Sequence, residues 1–298
     1  MEFDDLRTFV TVAETRSVSQ AARQLFLTQP AVTRRLQRLE TALGSPLVDR
    51  KRRPFALTPA GHQVLERCRR VLHSVREVQE AIAGDGVPAG ELKVGVAHAL
   101  MEIALTRPLD FIRKKFPRVD IRLTTGWSRV LLDRVRAGSL DAAVILLPEE
   151  DVLPAGIQGV AVGKEQLVVV APKEKAVRRR KAEDLRGVHW ILNPEGCGAR
   201  SNLQRALQRH NVEMHVALET YNYELQLNLV ARNRGWSLVP SRILHRSAVR
   251  ARLRVLPIDG LRFPLTVWTV TREAEMRLAA VIEQFNRQLN EKLSVRPR

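Results

Sequence analysis

The sequence predicts a small helical unit carrying one short hairpin, then a single long helix, then a larger region of α/β layers. Three observations predict this. Apolar residues recur at three- and four-residue spacing through the first forty positions. From Leu57 to Ile82 the apolar or small positions step alternately by four and three. Beyond the stretch Ala83–Gly90, whose glycines and proline stop a helix, strand-like runs such as Leu92–Val96 and Asp141–Leu147 alternate with helical ones. At 298 residues and 45% hydrophobic content the chain can build two or three folding units with real cores.

In the first unit Phe3, Leu6, Phe9, Val10 and Ala13 form one buried stripe of an opening helix. Ser19 can cap a second helix, whose Ala21 and Ala22 are small enough to admit a crossing helix. After Phe26-Leu27, Thr28 is a good N-cap and Pro30 fits the first turn of a third helix, where no amide hydrogen bond is lost. Val32, Leu36 and Leu39 point to one side of that helix. Gln29, Pro30, Thr33, Arg34 and Gln37 occupy the other, where side chains of this kind reach base edges and phosphates when a helix lies in the major groove. An amphipathic helix with a solvated polar face would look the same, but here a hairpin follows, Asp49–Phe55, whose tip carries the consecutive cations Arg50–Arg53. Arg52 and Arg53 then suit a wing laid along the backbone or in the minor groove.

Composition agrees without deciding. A formal net charge of +17 points to a polyanionic partner, which could be DNA, RNA or an anionic membrane. Glu2, Asp4 and Asp5 stand where a secretory signal would be basic and then apolar, and no apolar run approaches the ~20 residues that cross a bilayer. A cytoplasmic location with no membrane role is expected. Cys68 and Cys197 form neither a metal-ligand pair nor a disulfide framework. The run Arg178–Lys181 reads as a solvated surface loop. Nucleophile elbow, phosphate loop, metal quartet and paired carboxylates are all missing, so neither an enzyme nor a cofactor is expected.

Ser17, Ala21-Ala22, Leu25, Thr28-Gln29-Pro30-Ala31-Val32-Thr33, Leu39-Glu40, Leu43-Gly44, Leu47, Arg50 and Leu57-Thr58-Pro59-Ala60-Gly61 together resemble the LysR-type transcriptional regulators. Val48 departs from the phenylalanine usual there. The resemblance implies a winged helix-turn-helix over residues 1–58 in which Thr28, Gln29, Pro30, Thr33, Arg34 and Gln37 face the groove and Arg52 and Arg53 serve the wing. It implies a linker helix over 59–83 and a hinge over 84–90. The stripe Leu57, Gly61, Val64, Cys68, Val71, Val75, Val78 and Ile82 has coiled-coil spacing, so pairing with a second copy is expected ahead of packing on its own domain. The resemblance further implies a homodimer, often a homotetramer, on duplex DNA, with RNA polymerase as a possible further partner.

Residues 91–298 are similar to the family's effector domain, of the periplasmic-binding-protein kind: lobe I over 91–162 and 268–298, lobe II over 163–267. An effector between the lobes would meet strand ends and helix N-termini. The candidates are Ala97, His98, Ala99, Trp127, Ser128, Gly196, Cys197, Arg200, Tyr221, Tyr223 and Trp236. Ser128 is read as a helix cap. His98, Trp127 and Trp236 each have a duller reading as loop or core residues, and Arg200 has one as a partner of Glu195 or Glu219. A small organic anion, such as a carboxylate, fits this set. A constitutive DNA binder with a filled or vestigial cleft is the alternative. Cys197 invites comparison with peroxide sensors, but the sequence offers no resolving cysteine near it.

Overall fold

The computed structural model describes residues 1–49, 56–82, 88–101, 107–174, 181–273 and 278–294, the side chains at 66, 73 and 76–82 excepted. The chain divides into two compact units, one on Met1–Val87 with Ala137–Ser139 and one on Pro88–Arg136 and Leu140–Arg298. Arg50, Arg52 and Arg53 of the expected wing tip, residue 83 of the expected linker helix, residues 84–87 of the expected hinge, and Arg178–Arg180 lie outside the described residues.

In the first unit α1 (Phe3–Thr15) buries Leu6, Phe9, Val10 and Val12. It ends at Arg16, which takes a left-handed φ of 50°. That reversal leaves Ser17 extended, and its hydroxyl accepts the Gln20 amide at 3.3 Å. The cap of α2 (Val18–Gln24) is therefore Ser17 and not Ser19. Thr28 caps α3 (Gln29–Leu43) by accepting the Ala31 amide at 3.4 Å, and Gly44 closes it at φ 65°. Val32, Leu36 and Leu39 of α3 are buried in the unit's core.

Two carboxylates tie these helices together. Asp5, fully buried, accepts Arg38 Nε at 3.0 Å and Nη2 at 2.6 Å, joining α1 to α3. Burial raises the Asp5 carboxyl, but the Arg38 guanidinium and the Glu2 amide outweigh it and hold the group below the ordinary value. Glu40 accepts the amides of Leu47 and Val48 at 2.8 and 3.2 Å, which fixes the start of β1 (Val48–Asp49). This strand pairs antiparallel with β2 (Ala56–Leu57), so a hairpin stands where the wing is expected.

The long helix α4 (Pro59–Ile82) starts under Thr58, whose hydroxyl donates to the Pro46 carbonyl at 2.7 Å and accepts the Gly61 amide at 2.9 Å. Gly61 lies so close to Leu47 that an added Cβ would sit 2.1 Å from its carbonyl oxygen. The seam expected along α4 is corrected in its first half. Leu65 and Cys68 are buried, and Val64 and Leu72 packed, in the same core as Phe9 and Leu39. A helix starting that close to the hairpin must bury its first turns on its own unit. Val71 remains 47% exposed and Val75 half-buried; the side chains of Val78 and Ile82 lie outside the described residues. Burial pushes the Cys68 thiol up to about 11, which makes it a small core residue.

The second unit is built on a seven-stranded mixed sheet. Strand β3 (Gly90–Ala97) runs parallel to β4 (Val119–Gly126) and to β5 (Ala142–Pro148). With α5 (Arg107–Lys115), α6 (Ser128–Arg136) and α10 (Ala279–Ser294) they enclose one core. A second core lies under β7 (His189–Leu192), β8 (His215–Glu219), β9 (Ser237–Pro240) and α7 (Gly198–Gln208), with α8 (Tyr223–Ala231), α9 (Ser241–Arg246) and β10 (Leu253–Val255) around it. Two long antiparallel strands, β6 (Ile157–Pro172) and β11 (Phe263–Arg272), contribute to both cores. Their register slips between Val267 and Trp268, whose partners are Gly163 and Ala161. Residues up to Val162 and from Val267 serve the first core; Leu167, Phe263 and Leu265 serve the second.

Candidate DNA-binding face and effector cleft

The polar side of α3 is open to solvent. Thr28, Gln29, Pro30, Arg34 and Gln37 are exposed and Thr33 half-buried, while the buried residues of the helix all lie on the opposite side. The neighbouring guanidiniums are occupied: Arg35 pairs with Asp4 at 2.9 Å and Arg38 with Asp5. Among the described residues Arg34 makes no ion pair. A helix that spends its flanking cations on its own fold and keeps one outward arginine among amides and hydroxyls offers both base-edge donors and phosphate contacts.

In the second unit a cleft of about 320 Å³ opens where the parallel strands end. Lobe I supplies Ala97, His98 and Ala99 after β3, Trp127, Ser128, Arg129 and Val130 at the start of α6, and Leu146 to Pro148 at the end of β5. Lobe II supplies Gly196 to Ala199 before α7, then Ser201, Asn202 and Arg205 on that helix, with Tyr223 and Pro240. Leu167 and Leu265, from the two crossing strands, complete an apolar wall.

An aromatic group spans the mouth. The Trp127 ring stacks on Tyr221 at 5.5 Å, and His98 meets them edge-on at 4.9 Å and tilted at 5.8 Å. Trp127 also lies over Gly196, whose φ of 90° suits glycine and where a Cβ would come within 3.1 Å of the indole. Tyr221 is mostly exposed and stands at the rim outside the cavity lining. Burial lowers the His98 imidazole below its ordinary value of 6.5. Burial, with Cys197 and Glu165 close by, holds the Tyr223 phenol well above the usual tyrosine range. The Cys197 thiol is likewise pushed up by burial, against the opposing pull of the Arg200 and Ala199 amides.

Three expected site residues have other roles. Trp236 is a core residue: its ring meets Trp190 edge-on at 6.5 Å, and its backbone joins β7 through His189 and Ile191. Arg200 turns from the cavity to Glu219 at 2.6 Å, with Glu195 at 3.8 Å. Ser128 lines the cleft but is the first residue of α6 and not its cap; its hydroxyl accepts the Leu146 amide at 3.0 Å. The residues missed are Arg129, which pairs with Asp151 at 2.9 Å, and Ser201, Asn202 and Arg205. The last three stand three, four and seven positions after Gly198, so one helical face was the signal that could have found them. Arg205 hydrogen-bonds Asn202 beside it.

Comparison with known proteins places both units. Residues 3–62 match the model described as the bacterial regulatory helix-turn-helix protein, lysR family, and residues 85–294 match the LysR substrate binding domain. The HTH-type transcriptional regulator CzcR of Bacillus subtilis is 29% identical over 258 residues, spanning 87% of this chain and 86% of that protein. CzcR of Bacillus anthracis is 31% identical over 245 residues, 82% of each. Among solved structures, a full-length OxyR of Pseudomonas aeruginosa with one cysteine replaced by aspartate has a TM-score of 0.75 at 24% identity, over 100% of this chain and 97% of that one. CbnR complexed with its target DNA has 0.60 at 24%, over 98% and 100%. The family descriptions and the names of the relatives are those of transcription regulators and not of enzymes. With an N-terminal helix-turn-helix for DNA and a C-terminal effector-binding domain, this chain belongs to the LysR family of transcriptional regulators.

Proposed function

We propose that the cleft binds a small organic anion with an apolar body, a carboxylate, and that its occupancy sets how the DNA-binding heads engage a promoter. The cavity itself supports this reading. Its walls are mainly apolar, its polar points include Arg205, Asn202, Ser201 and Tyr223 on one lobe and His98, Ser128 and Arg129 on the other, and its volume lies at the small end of ligand pockets. A cleft filled by its own side chains would leave no such space. Coupling needs only that the effector prefer one arrangement by ~1–3 kcal/mol. The regulator acts as a dimer through α4, paired along the part of the stripe that Val71 leaves open, or as two such dimers on related half-sites.

Two experiments test these assignments. Calorimetric titration with a panel of carboxylates and their neutral amides should find carboxylate binding that Arg205→Ala weakens by tenfold or more, with the amides unaffected. Equal binding of acid and amide would remove the anion assignment. On the DNA side, Arg34→Ala should weaken cognate binding and relax base preference, whereas Arg52→Ala should lower affinity for every sequence and flatten the salt slope. Gel-shift titrations in which both variants behave as wild type would displace the recognition helix and the wing from these roles.

A further inference from the structure

The positive charge of this regulator is concentrated away from its DNA-binding head. Residues 1–87 hold 14 Lys and Arg against 10 Asp and Glu, a net +4, while residues 88–298 hold 35 against 22, a net +13. Some of the effector domain's described cations have carboxylate partners: Arg122 pairs with Glu91, Arg129 with Asp151, Lys164 with Glu149, Arg200 with Glu219 and Arg287 with Glu283.

One group differs. Strand β10 stands at the end of the sheet's strand order; Arg250 and Arg252 lead into it, Lys173 is bonded to Arg252, and Arg232 and Arg234 follow the helix α8 on which Arg252 is anchored. The Lys173 amide donates to the Arg252 carbonyl at 2.9 Å. The Arg252 guanidinium in turn donates to Ala231 O at 3.0 Å, at the C-terminus of α8 and one residue before Arg232. Arg250 is held by the Leu253 carbonyl at 3.1 Å. All but Arg250 are exposed, and among the described residues none of the five is in an ion pair. Glu174, beside Lys173, is the carboxylate next to them in sequence. Main-chain carbonyls orient two of these side chains without neutralising them, which leaves a pre-positioned basic surface.

We propose that this edge of lobe II is a second DNA-binding surface, which takes the phosphate backbone of duplex flanking the sequence read by the head. Guanidiniums and ammoniums placed this way bind phosphates and gain free energy by releasing condensed counterions. The surface presents no helix or hairpin to enter a groove, so its contribution is independent of sequence. It is also independent of what the cleft binds.

The test uses the full chain with Lys173→Gln, Arg232→Gln and Arg234→Gln combined, leaving Arg250 and Arg252 because their carbonyl bonds hold the turn. Affinity is measured against salt on a short duplex limited to the footprint of the heads and on one extended well beyond it. On the long duplex the slope of log affinity against log salt should fall in magnitude by about 2 to 3, roughly 0.9 for each phosphate no longer neutralised, and on the short duplex it should not change. The corresponding triple Glu variant should shift the long-duplex affinity further in the same direction, both variants unfolding at the wild-type temperature. An unchanged slope on the long duplex, or equal losses on both, would overturn the proposal. Wild-type binding to both duplexes with loss of transcription in a purified system would also overturn it, and would assign the surface to an acidic protein.

Discussion

Phe26 is the least comfortable residue of the head. It turns the chain between α2 and α3 at φ 55°, a region that costs a bulky residue about 1–2 kcal/mol, and its ring is 96% exposed. Neither cost is repaid by packing. Phe26→Asn, which tolerates the left-handed region, should stabilise the head by about 0.5–1 kcal/mol, visible as a rise in its unfolding temperature of a few degrees. A fall would mean the ring holds the turn. His98 carries a pH signature. Burial favours its neutral form, so its folded value lies below the ordinary 6.5. Stability from this group is therefore complete above 6.5 and declines as the pH falls from there to the lower folded value. Melting of the full chain at pH 7.5 and 5.5 should show a drop for the effector domain that His98→Asn reduces. An equal drop in the variant would assign the effect to other groups.

At the scale of elements, the join between hairpin and long helix is closely packed. Thr58 caps α4 and holds the Pro46 carbonyl, while Gly61 touches Leu47 without room for a methyl group. The Thr58-Pro59-Ala60-Gly61 run is thus a local geometric requirement: a cap, a proline free of the need to donate, a small residue, and a glycine at a backbone crossing. Gly61→Ala should destabilise the head by about 2–3 kcal/mol and leave the effector domain's transition in place. Wild-type melting of both would show that the hairpin yields at no cost. Helix α7 illustrates the opposite case. Its glycine-rich start was legible, but Arg200, in its first turn, faces Glu219 while Arg205 faces the cleft, and only the packing of Leu203 and Leu207 decides which side of the helix each takes.

At the scale of the whole molecule, two units with separate cores should unfold in two calorimetric transitions, and an effector should raise only the one belonging to residues 88–298. At a free concentration a hundred times its dissociation constant the gain is about 2.7 kcal/mol. A single transition shifted as a whole would show the units to be energetically coupled. Among the described residues no helix is long and apolar enough to cross a membrane. By itself the sequence determined the helix-turn-helix, with its buried stripe and the Thr28 cap, and the presence of a long helix followed by α/β layers. These follow from periodicity and capping, interactions that span only a few residues. Tertiary structure alone decided that Cys68 closes the head's own core, that Trp236 packs on Trp190, and that Arg205 and Asn202 reach the cleft. Periodicity shows that a face is buried but not against what, because the partner surface comes from residues far away in the chain.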